Sequence, residues 1–342
     1  MRKITRRSFL TAAVACGAAA ALSACGGSSS ASSAAASSTV ASASVAATAN
    51  GEKFTVGICQ LVQHAALDAA TQGFEDALTA SFGENVTFDF QNAQGDSATC
   101  ATIANGFVSS GVALIMANAT PALQAAQAAT NTIPILGTSV TEYGVALGLD
   151  NFSGTVGGNV SGTSDLADLS QQADMITEWF PEAKKVALLF CSAEPNSSYQ
   201  IQEVATCLAN KGIETKEFAF TDSNDVASVT QSAADYADVV YLPTDNTAAS
   251  NTEAIANILV PAGVPAICGE EGICSGCGVA TLSISYYDLG VTTGKMAAKI
   301  LTGEADISTM PIEYAPAAPK YNAAMCETMN ITPLEGYTAI EG

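Results

Sequence analysis

The feature that most constrains the fold is an internal repetition of a strand, a polar turn and a helix. The unit first occurs at 54–78, where the apolar run FTVGIC precedes a polar turn, and Leu67 and Phe74 then recur at helical spacing. Three more such units follow, and the series then recurs about 131 residues later, as in Pro134 and Pro265. This repetition predicts two similar α/β halves rather than one continuous domain.

Short apolar strands that alternate with helices predict parallel sheets covered by helices on both faces. We therefore expect an α/β protein with two Rossmann-like lobes, each with a parallel sheet, and a hinge between them. Polar residues follow every predicted strand, and in open parallel sheets this carboxyl edge is where ligands bind. Two facing lobes would turn these edges toward a common cleft, whereas two adjacent domains would leave nothing between them.

The last part of the chain favours facing lobes, because it is too small to form a third lobe. It contains an extended segment at 281–285, a helix at Tyr286–Leu301 and a short strand at 312–315, which we expect to complete the earlier lobes. Two or three crossings would then make the hinge. A capping pattern at 161–165 predicts that a helix starts there, at the first crossing. The expected lobes are 53–160 plus about 286–304, and 161–285 plus about 305–342.

The amino-terminal segment, residues 1–24, has the order of features of a lipoprotein signal peptide. Arg6 and Arg7 precede an alanine-rich apolar run, and LSAC (22–25) resembles a lipobox, so we expect cleavage before Cys25 and lipid on its thiol. A plain signal peptide or a membrane helix is the alternative, although the run is short for a span. Residues 25–52 are rich in Ser and Ala and predict a flexible linker. Export by the twin-arginine or the general route stays open.

The charge balance excludes several partners. The chain carries a formal net charge of −21, and no arginine follows Arg7. Without residues 1–24, the chain has eight lysines and 33 acidic residues, so its formal net charge is 8 − 33 = −25. Such acidity argues against binding of nucleic acid or anionic lipid by the folded body. Any anionic part of a ligand must be held without a guanidinium group, by backbone N–H groups, helix starts, hydroxyls or a lysine.

Segments spread over about 54–337 carry a common pattern. They are CQLVQHAALDAATQGF (59–74), IMANATPALQAA (115–126), GTSVTEYG (137–144), NVSGTSD (159–165), CSAEPNS (191–197), PTDNTAAS (243–250) and GEEGICSGCGVATLSISYYDLG (269–290). As a set, they resemble the substrate-binding lipoproteins of ABC transporters of the tryptophan/tyrosine type, which have the type I periplasmic-binding-protein fold.

The resemblance implies capture of a small solute, an amino acid of the aromatic type, by closure of the lobes. It implies a membrane permease and an ATPase as partners, no cofactor, and a monomer held by its lipid at the outer face of the cytoplasmic membrane. The alternative is a ligand-sensing lipoprotein of the same fold that feeds a membrane sensor instead of a permease.

A zwitterionic amino acid needs acceptors for its ammonium group and donors for its carboxylate. For the ammonium group we expect Asp245 with Asn246, then Glu270, then Glu194, all after strands of the second lobe. A helix N-cap is the competing role for Asp245. For the carboxylate we expect hydroxyls at strand ends of the first lobe, with N–H groups at helix starts. The hydroxyl candidates are Thr120 and Ser139, with Thr138 and Thr141 in reserve.

Further candidates complete the expected ligand site. Tyr286, at the start of the last long helix, can stack on an aromatic ligand or pack between the lobes. The remaining candidates are Gln60, Asn118, Ser192, Asn196 and Thr244.

The sequence does not predict an enzyme or a metal site. There is no nucleophile elbow and no phosphate-binding loop. His64 is the single histidine and is expected at a helix start or rim. One CxxC segment, Cys274 to Cys277, without a nearby histidine does not make a four-ligand zinc site. We expect a local disulfide or free thiols there.

Overall fold

The computed structural model describes residues 52–341. The predicted signal peptide, the predicted lipidation site Cys25 and nearly all of the predicted linker lie outside the described residues. Strands and helices alternate through most of this part of the chain. The strands are β1 (Phe54–Gln60), β2 (Val86–Asn92), β3 (Leu114–Asn118), β4 (Ile135–Val140), β5 (Val160–Ser164), β6 (Lys185–Cys191), β7 (Glu214–Phe220), β8 (Val239–Leu242), β9 (Ala266–Cys268), β10 (Ala280–Ser283), β11 (Glu313–Tyr314), β12 (Ala318–Tyr321) and β13 (Thr338–Ala339). The α-helices are α1 (Ala65–Phe82), α2 (Ser97–Ser110), α3 (Thr120–Ala129), α4 (Tyr143–Leu147), α5 (Leu169–Trp179), α6 (Pro195–Asn210), α7 (Val226–Ala234), α8 (Asn246–Ala249), α9 (Thr252–Ala262), α10 (Glu271–Cys277), α11 (Tyr286–Leu301) and α12 (Ala323–Thr328).

Two sheets form the two lobes. The first sheet has the order β11-β5-β4-β3-β1-β2, and its strand pairs are all parallel. The second has the order β13-β12-β10-β9-β8-β6-β7, and it is parallel except where β12 runs against β10. The central strands are buried because helices cover both faces, as the apolar runs predict. The predicted fold class of two α/β lobes is confirmed.

The eight strands predicted in the repeated series are all present; β8 has its predicted bounds, and the others have shifted ends. In the first lobe, β3 and β4 extend further than predicted, so that Asn118, Thr138 and Ser139 lie within strands instead of in the turns after them. The predicted helix start at 161–165 is wrong: 160–164 form β5 of the first sheet, and Asp168 caps the following helix, α5.

The tail completes both lobes. Helix α11 has the predicted bounds and packs along α1 of the first lobe. The two helices can approach closely because Gly73 and Gly290 have no side chain at the contact. A Cβ at either position would collide with backbone atoms of the other helix. Strand β11 pairs with β5 in the first sheet, whereas the sequence assigned 305–342 to the second lobe. Strands β12 and β13 do belong to the second sheet.

Three connections join the two sheets, and they form the hinge region. They are the segments 165–168, 284–285 and 315–317, which follow β5, β10 and β11. The first connection therefore lies just after the predicted boundary at 160. Among residues 52–341, no helix is both long and apolar enough to cross a membrane.

Candidate functional site

A small central cavity lies between the carboxyl ends of the two sheets. It measures about 10 Å³, which is room for a single group of the size of a water molecule. The first lobe and the hinge region contribute His64, Leu67, Ser139, Asp165 and Tyr286 to its wall. The second lobe contributes Asn196, Thr244, Asp245, Asn246, Ala249 and Glu270.

Two larger cavities flank the central one. The hinge-side cavity, of about 380 Å³, is bounded by the start of α1, the start of α10 and the connection at 284–285. It shares Glu270 and Tyr286 with the central cavity. The outer cavity, of about 320 Å³, is bounded by the turns after β1, β2, β6 and β7 and shares Asn246 with the central cavity.

Asp165 is the acidic residue of the wall with a free oxygen. It directly follows β5, is 4% exposed, and accepts a hydrogen bond on Oδ2 from the Tyr286 hydroxyl at 3.0 Å. Its Oδ1 atom is buried and has no hydrogen-bond partner among the described residues. Burial raises the pKa of Asp165 to about 6, although the neighbouring hydroxyls of Tyr286 and Thr141 act in the opposite direction. Asp165 is not among the residues expected from the sequence, because the pattern at 161–165 predicts a helix cap where the structure has the end of β5.

Two more wall residues carry buried polar atoms without a partner in the described part of the chain. They are Ser139, through Oγ, and Asn196, through Oδ1. The amide orientation of Asn196 is well defined, since its Nδ2 donates to the Thr244 carbonyl at 3.0 Å. Ser139 also has a φ of 53°, a left-handed conformation that is strained for serine and is typical of functional sites. The unpartnered oxygens of Asp165, Asn196 and Ser139 therefore border one cavity from both lobes.

Asp245, the first expected ammonium ligand, has both carboxylate oxygens engaged. Oδ1 accepts from the Ala248 N–H at 2.8 Å and Oδ2 from the Cys191 N–H at 2.7 Å. Burial, and then the charge of Glu194, raise the pKa of Asp245 to about 7. These contacts support the helix N-cap role of Asp245, which the sequence left open as the alternative to ammonium binding.

The other two expected ammonium ligands are also helix caps. Glu270 accepts from the Gly272 and Ile273 N–H groups at the start of α10, and burial raises its pKa to about 7. Glu194 accepts from the N–H groups of Asn246 and Thr247 at the start of α8, and from both of their side chains. These carboxylates hold the backbone of the second-lobe wall in place, because they accept hydrogen bonds from its N–H groups.

Other candidates serve the structure of the first lobe and do not line the central cavity. Gln60 accepts from Thr71 at 2.7 Å and donates to Asp68 at 2.7 Å, and Asn118 donates to Thr71 at 3.0 Å. Thr138 lies in a buried hydroxyl cluster with Thr163 and Thr293, which ties α11 to the first sheet.

The remaining candidates divide between the cavity wall and other positions. Thr244 lies on the wall and accepts from Asn196 through its carbonyl oxygen. Thr120 is buried at the start of α3 but does not line the cavity. The exposed Ser192 donates to the Phe220 carbonyl at 3.2 Å and is likewise not on the wall.

His64 links the two lobes. Its Nε2 atom lies 3.2 Å from Oδ1 of Asn246, and burial lowers the pKa of its imidazole. His64 is also the N-cap residue of the 18-residue helix α1, and its side chain makes no capping hydrogen bond. The first N–H groups of α1 are therefore free to bind an anion at the edge of the cavity.

The cysteines do not form a second site. All eight cysteines of the described residues are free thiols, and Cys274 and Cys277 are both buried in α10. Between residues 52 and 341, no cluster of three or more His, Cys, Asp or Glu side chains has the arrangement of a metal site.

The chain matches a family described as ABC transporter substrate-binding proteins over residues 55–320. It is 35% identical to a tyrosine-binding protein of Clostridioides difficile over 268 residues, which cover 78% of this chain and 77% of the relative. This family and relative are substrate-binding proteins rather than enzymes.

Two solved structures extend the comparison. A domain from Streptococcus pneumoniae in complex with L-Trp superposes with a TM-score of 0.80 at 28% identity and covers 84% of this chain and 100% of that chain. A ligand-free, open substrate-binding protein from Clostridium difficile superposes with a TM-score of 0.64 at 35% identity. The match covers 84% of this chain and 99% of that chain. This chain therefore superposes better on the ligand-bound structure than on the open one, although the ligand-bound protein is less similar in sequence.

Proposed function

The chain belongs to the family of ABC transporter substrate-binding proteins, and on this premise we propose that it captures a free aromatic amino acid between its lobes for import. The named ligands of two relatives support this choice, since one is a tyrosine-binding protein and another was solved with L-Trp. Family membership also favours delivery to a permease and its ATPase over the sensing alternative.

The observation that carries the proposal is the unpartnered Oδ1 of Asp165 in the central cavity. A buried carboxylate with a free oxygen requires a donor, and a primary ammonium group is a charged donor that fits a space of about 10 Å³. The unpartnered oxygen of Asn196 supplies a second acceptor from the other lobe. Among the described residues, the one basic side chain on this wall is His64, whose pKa burial lowers, so the ligand supplies the cation.

The ligand carboxylate is assigned to donors of the first lobe. The first N–H groups of α1 border the hinge-side cavity through Ala65, and the Ser139 hydroxyl, unpartnered among the described residues, can donate from the adjoining wall of the central cavity. A helix start favours an anion through its exposed N–H groups and its dipole. This arrangement needs no guanidinium group, in agreement with the composition of the folded body.

The same charges explain why a ligand favours closure. A closed cleft without ligand buries the Asp165 carboxylate with one oxygen unpartnered among the described residues, and its raised pKa reflects this unfavourable burial of charge. An ammonium group that contacts both lobes compensates this charge only in the closed arrangement. Binding therefore shifts the population of lobes toward the closed state.

The place of action follows from the family, because substrate-binding proteins of ABC importers are extracellular or periplasmic. We extend this to a monomer anchored at the outer face of the cytoplasmic membrane by lipid on Cys25, after removal of residues 1–24 as a signal peptide. Labelling of the expressed protein with a radioactive fatty acid tests the anchor: label on the wild type and none on Cys25→Ala is expected, and label on both would contradict it.

A thermal-shift screen of the purified protein tests the ligand class. The twenty amino acids form the panel, and sugars and purines are the controls. A ligand that binds only the native state raises the melting temperature by mass action. We expect shifts with L-tryptophan or L-tyrosine. Shifts with sugars or purines alone, or no shift with any amino acid, would contradict the proposal.

A further inference from the structure

We propose that the hinge-side cavity is the subsite for the aromatic side chain of the ligand. This inference rests on the proposed function, because it assigns a place to the side chain of an amino acid whose ammonium group is bound at Asp165. The hinge-side cavity measures about 380 Å³, within the range of small-molecule pockets.

The wall of the hinge-side cavity matches an aromatic ring. One side of the wall is apolar, formed by small side chains of α1 such as Ala66 and Ala69 together with Ile284 and Tyr286, and the acidic residues Glu270, Glu271 and Glu341 lie on the other side. Small side chains leave the space that a ring needs, and neighbouring aromatic rings stack on it. The basic side chain on this wall, Lys320, is already paired with Glu271, so the cavity offers no free cation to an acidic side chain.

Tyr286 connects this cavity to the ammonium site. Its hydroxyl donates to Oδ2 of Asp165, and its side chain borders both cavities. A ligand whose ammonium group contacts Oδ1 of Asp165 can therefore extend along Tyr286 into the hinge-side cavity. The start of α1, which we assign to the ligand carboxylate, also borders both spaces through His64 and Ala65.

The outer cavity has a different chemistry. Its wall includes Glu194, Asp222, Asn224 and Asn246, which are acidic or amide side chains at turns of the second lobe. An aromatic side chain there would cover polar groups that water otherwise solvates, which is unfavourable. The outer cavity therefore does not suit a ring, although its volume of about 320 Å³ is similar.

Filling each cavity separately tests the assignment. Ala69→Leu adds bulk to the hinge-side wall, and Ala193→Leu makes the same substitution on the outer wall. Ser275→Leu, at an exposed position of α10, fills the hinge-side cavity from the second lobe. Calorimetric titration of the purified variants with L-tryptophan, L-tyrosine and L-alanine gives the affinities, and thermal unfolding confirms that each variant is folded.

We expect Ala69→Leu and Ser275→Leu to weaken binding of the aromatic ligand about 30-fold, because the added side chain competes with the ring for the same space. The loss should be smaller for L-alanine, which has no ring. Ala193→Leu should leave the affinity within about threefold. A larger loss in Ala193→Leu than in the hinge-side variants, or equal losses in all of them, would overturn the assignment. Failure of the proposed function is distinguishable, because the wild-type protein would then bind no aromatic amino acid.

Discussion

The two lobes both place acidic and polar residues at the carboxyl ends of their strands but use them differently. In the second lobe, Glu194, Asp245 and Glu270 direct their oxygens to backbone N–H groups at helix starts. In the first lobe and hinge, Asp165 keeps one oxygen without a partner, and Ser139 is held in a left-handed conformation. Under the proposed function, a carboxylate at a strand end therefore contacts the ligand only where the neighbouring backbone does not use its oxygens.

This comparison separates binding from stability. Substitutions at Asp165 should change ligand affinity, whereas substitutions at the second-lobe caps should change the free energy of unfolding. Measurements of ligand affinity and of the free energy of unfolding on single variants distinguish the two roles.

Asp165→Asn should give the largest effect on binding. The substitution removes the charge that faces the ligand ammonium group, and we expect affinity to fall about 100-fold, or about 2.7 kcal/mol. Isothermal titration calorimetry with L-tryptophan and L-tyrosine measures it. The matched control is Asp168→Asn, three residues along the chain, whose side chain caps α5 and does not line the cavity. Equal losses in the two variants would contradict the assignment of Asp165.

Asp245→Ala should affect stability more than binding. It leaves the N–H groups of Cys191 and Ala248 without their buried acceptor, so we expect a loss of about 2 kcal/mol in the free energy of unfolding. Urea denaturation without ligand measures this loss. In the folded variant, affinity should stay within about threefold of the wild type. A stable variant with a 100-fold lower affinity would restore Asp245 as the ammonium ligand.

Binding should weaken in acid. The pKa of Asp165 is raised to about 6 in the ligand-free protein, and only the ionised carboxylate attracts an ammonium group. Affinity is therefore full above about pH 7 and falls as the pH drops through 6, by about tenfold for each further unit. Titration calorimetry between pH 8 and pH 5 measures this dependence. Asp165→Asn should give a shallower profile, whose remaining slope reports Asp245 and Glu270 on the same wall, and an unchanged slope in that variant would assign the titration to another group.

His64→Ala should give the smallest effect. The substitution removes the contact between His64 and Asn246 that links the lobes, and we expect affinity to fall no more than about fivefold. The exposed Gln63 provides the matched control, Gln63→Ala. Small-angle scattering should still detect compaction of His64→Ala with saturating ligand. Absence of compaction would give His64 a larger role in closure than one hydrogen bond explains.

The sequence predicted the fold well because apolar runs and helical periodicity are local signals. Helix α11 has its predicted bounds, since Ser285 caps it and its apolar residues recur regularly. Strand β5 was missed because its sequence, VSGTS, contains small and polar residues that are buried through contacts with distant segments such as Thr293. No local pattern reports such burial.

Seven of the residues expected at the ligand site border the central cavity, and their roles in binding stay predictions. Ser139, Asn196, Thr244, Asp245, Asn246, Glu270 and Tyr286 all lie on the cavity wall. Their division between ligand contact and support depends on which atoms the backbone uses, as in the capping bonds of Asp245. The sequence left that competition open, and it misassigned Asp165 together with the β5 segment.

The most direct test of the central claim removes the charge from the ligand and from the protein in turn. Titration calorimetry would compare the tighter of L-tryptophan and L-tyrosine with its analogue that lacks the ammonium group, for the wild type and for Asp165→Asn. If Asp165 holds the ammonium group, its loss from the ligand weakens binding about 100-fold in the wild type and less than about threefold in Asp165→Asn. Equal losses in both proteins would show that the ammonium group is bound elsewhere.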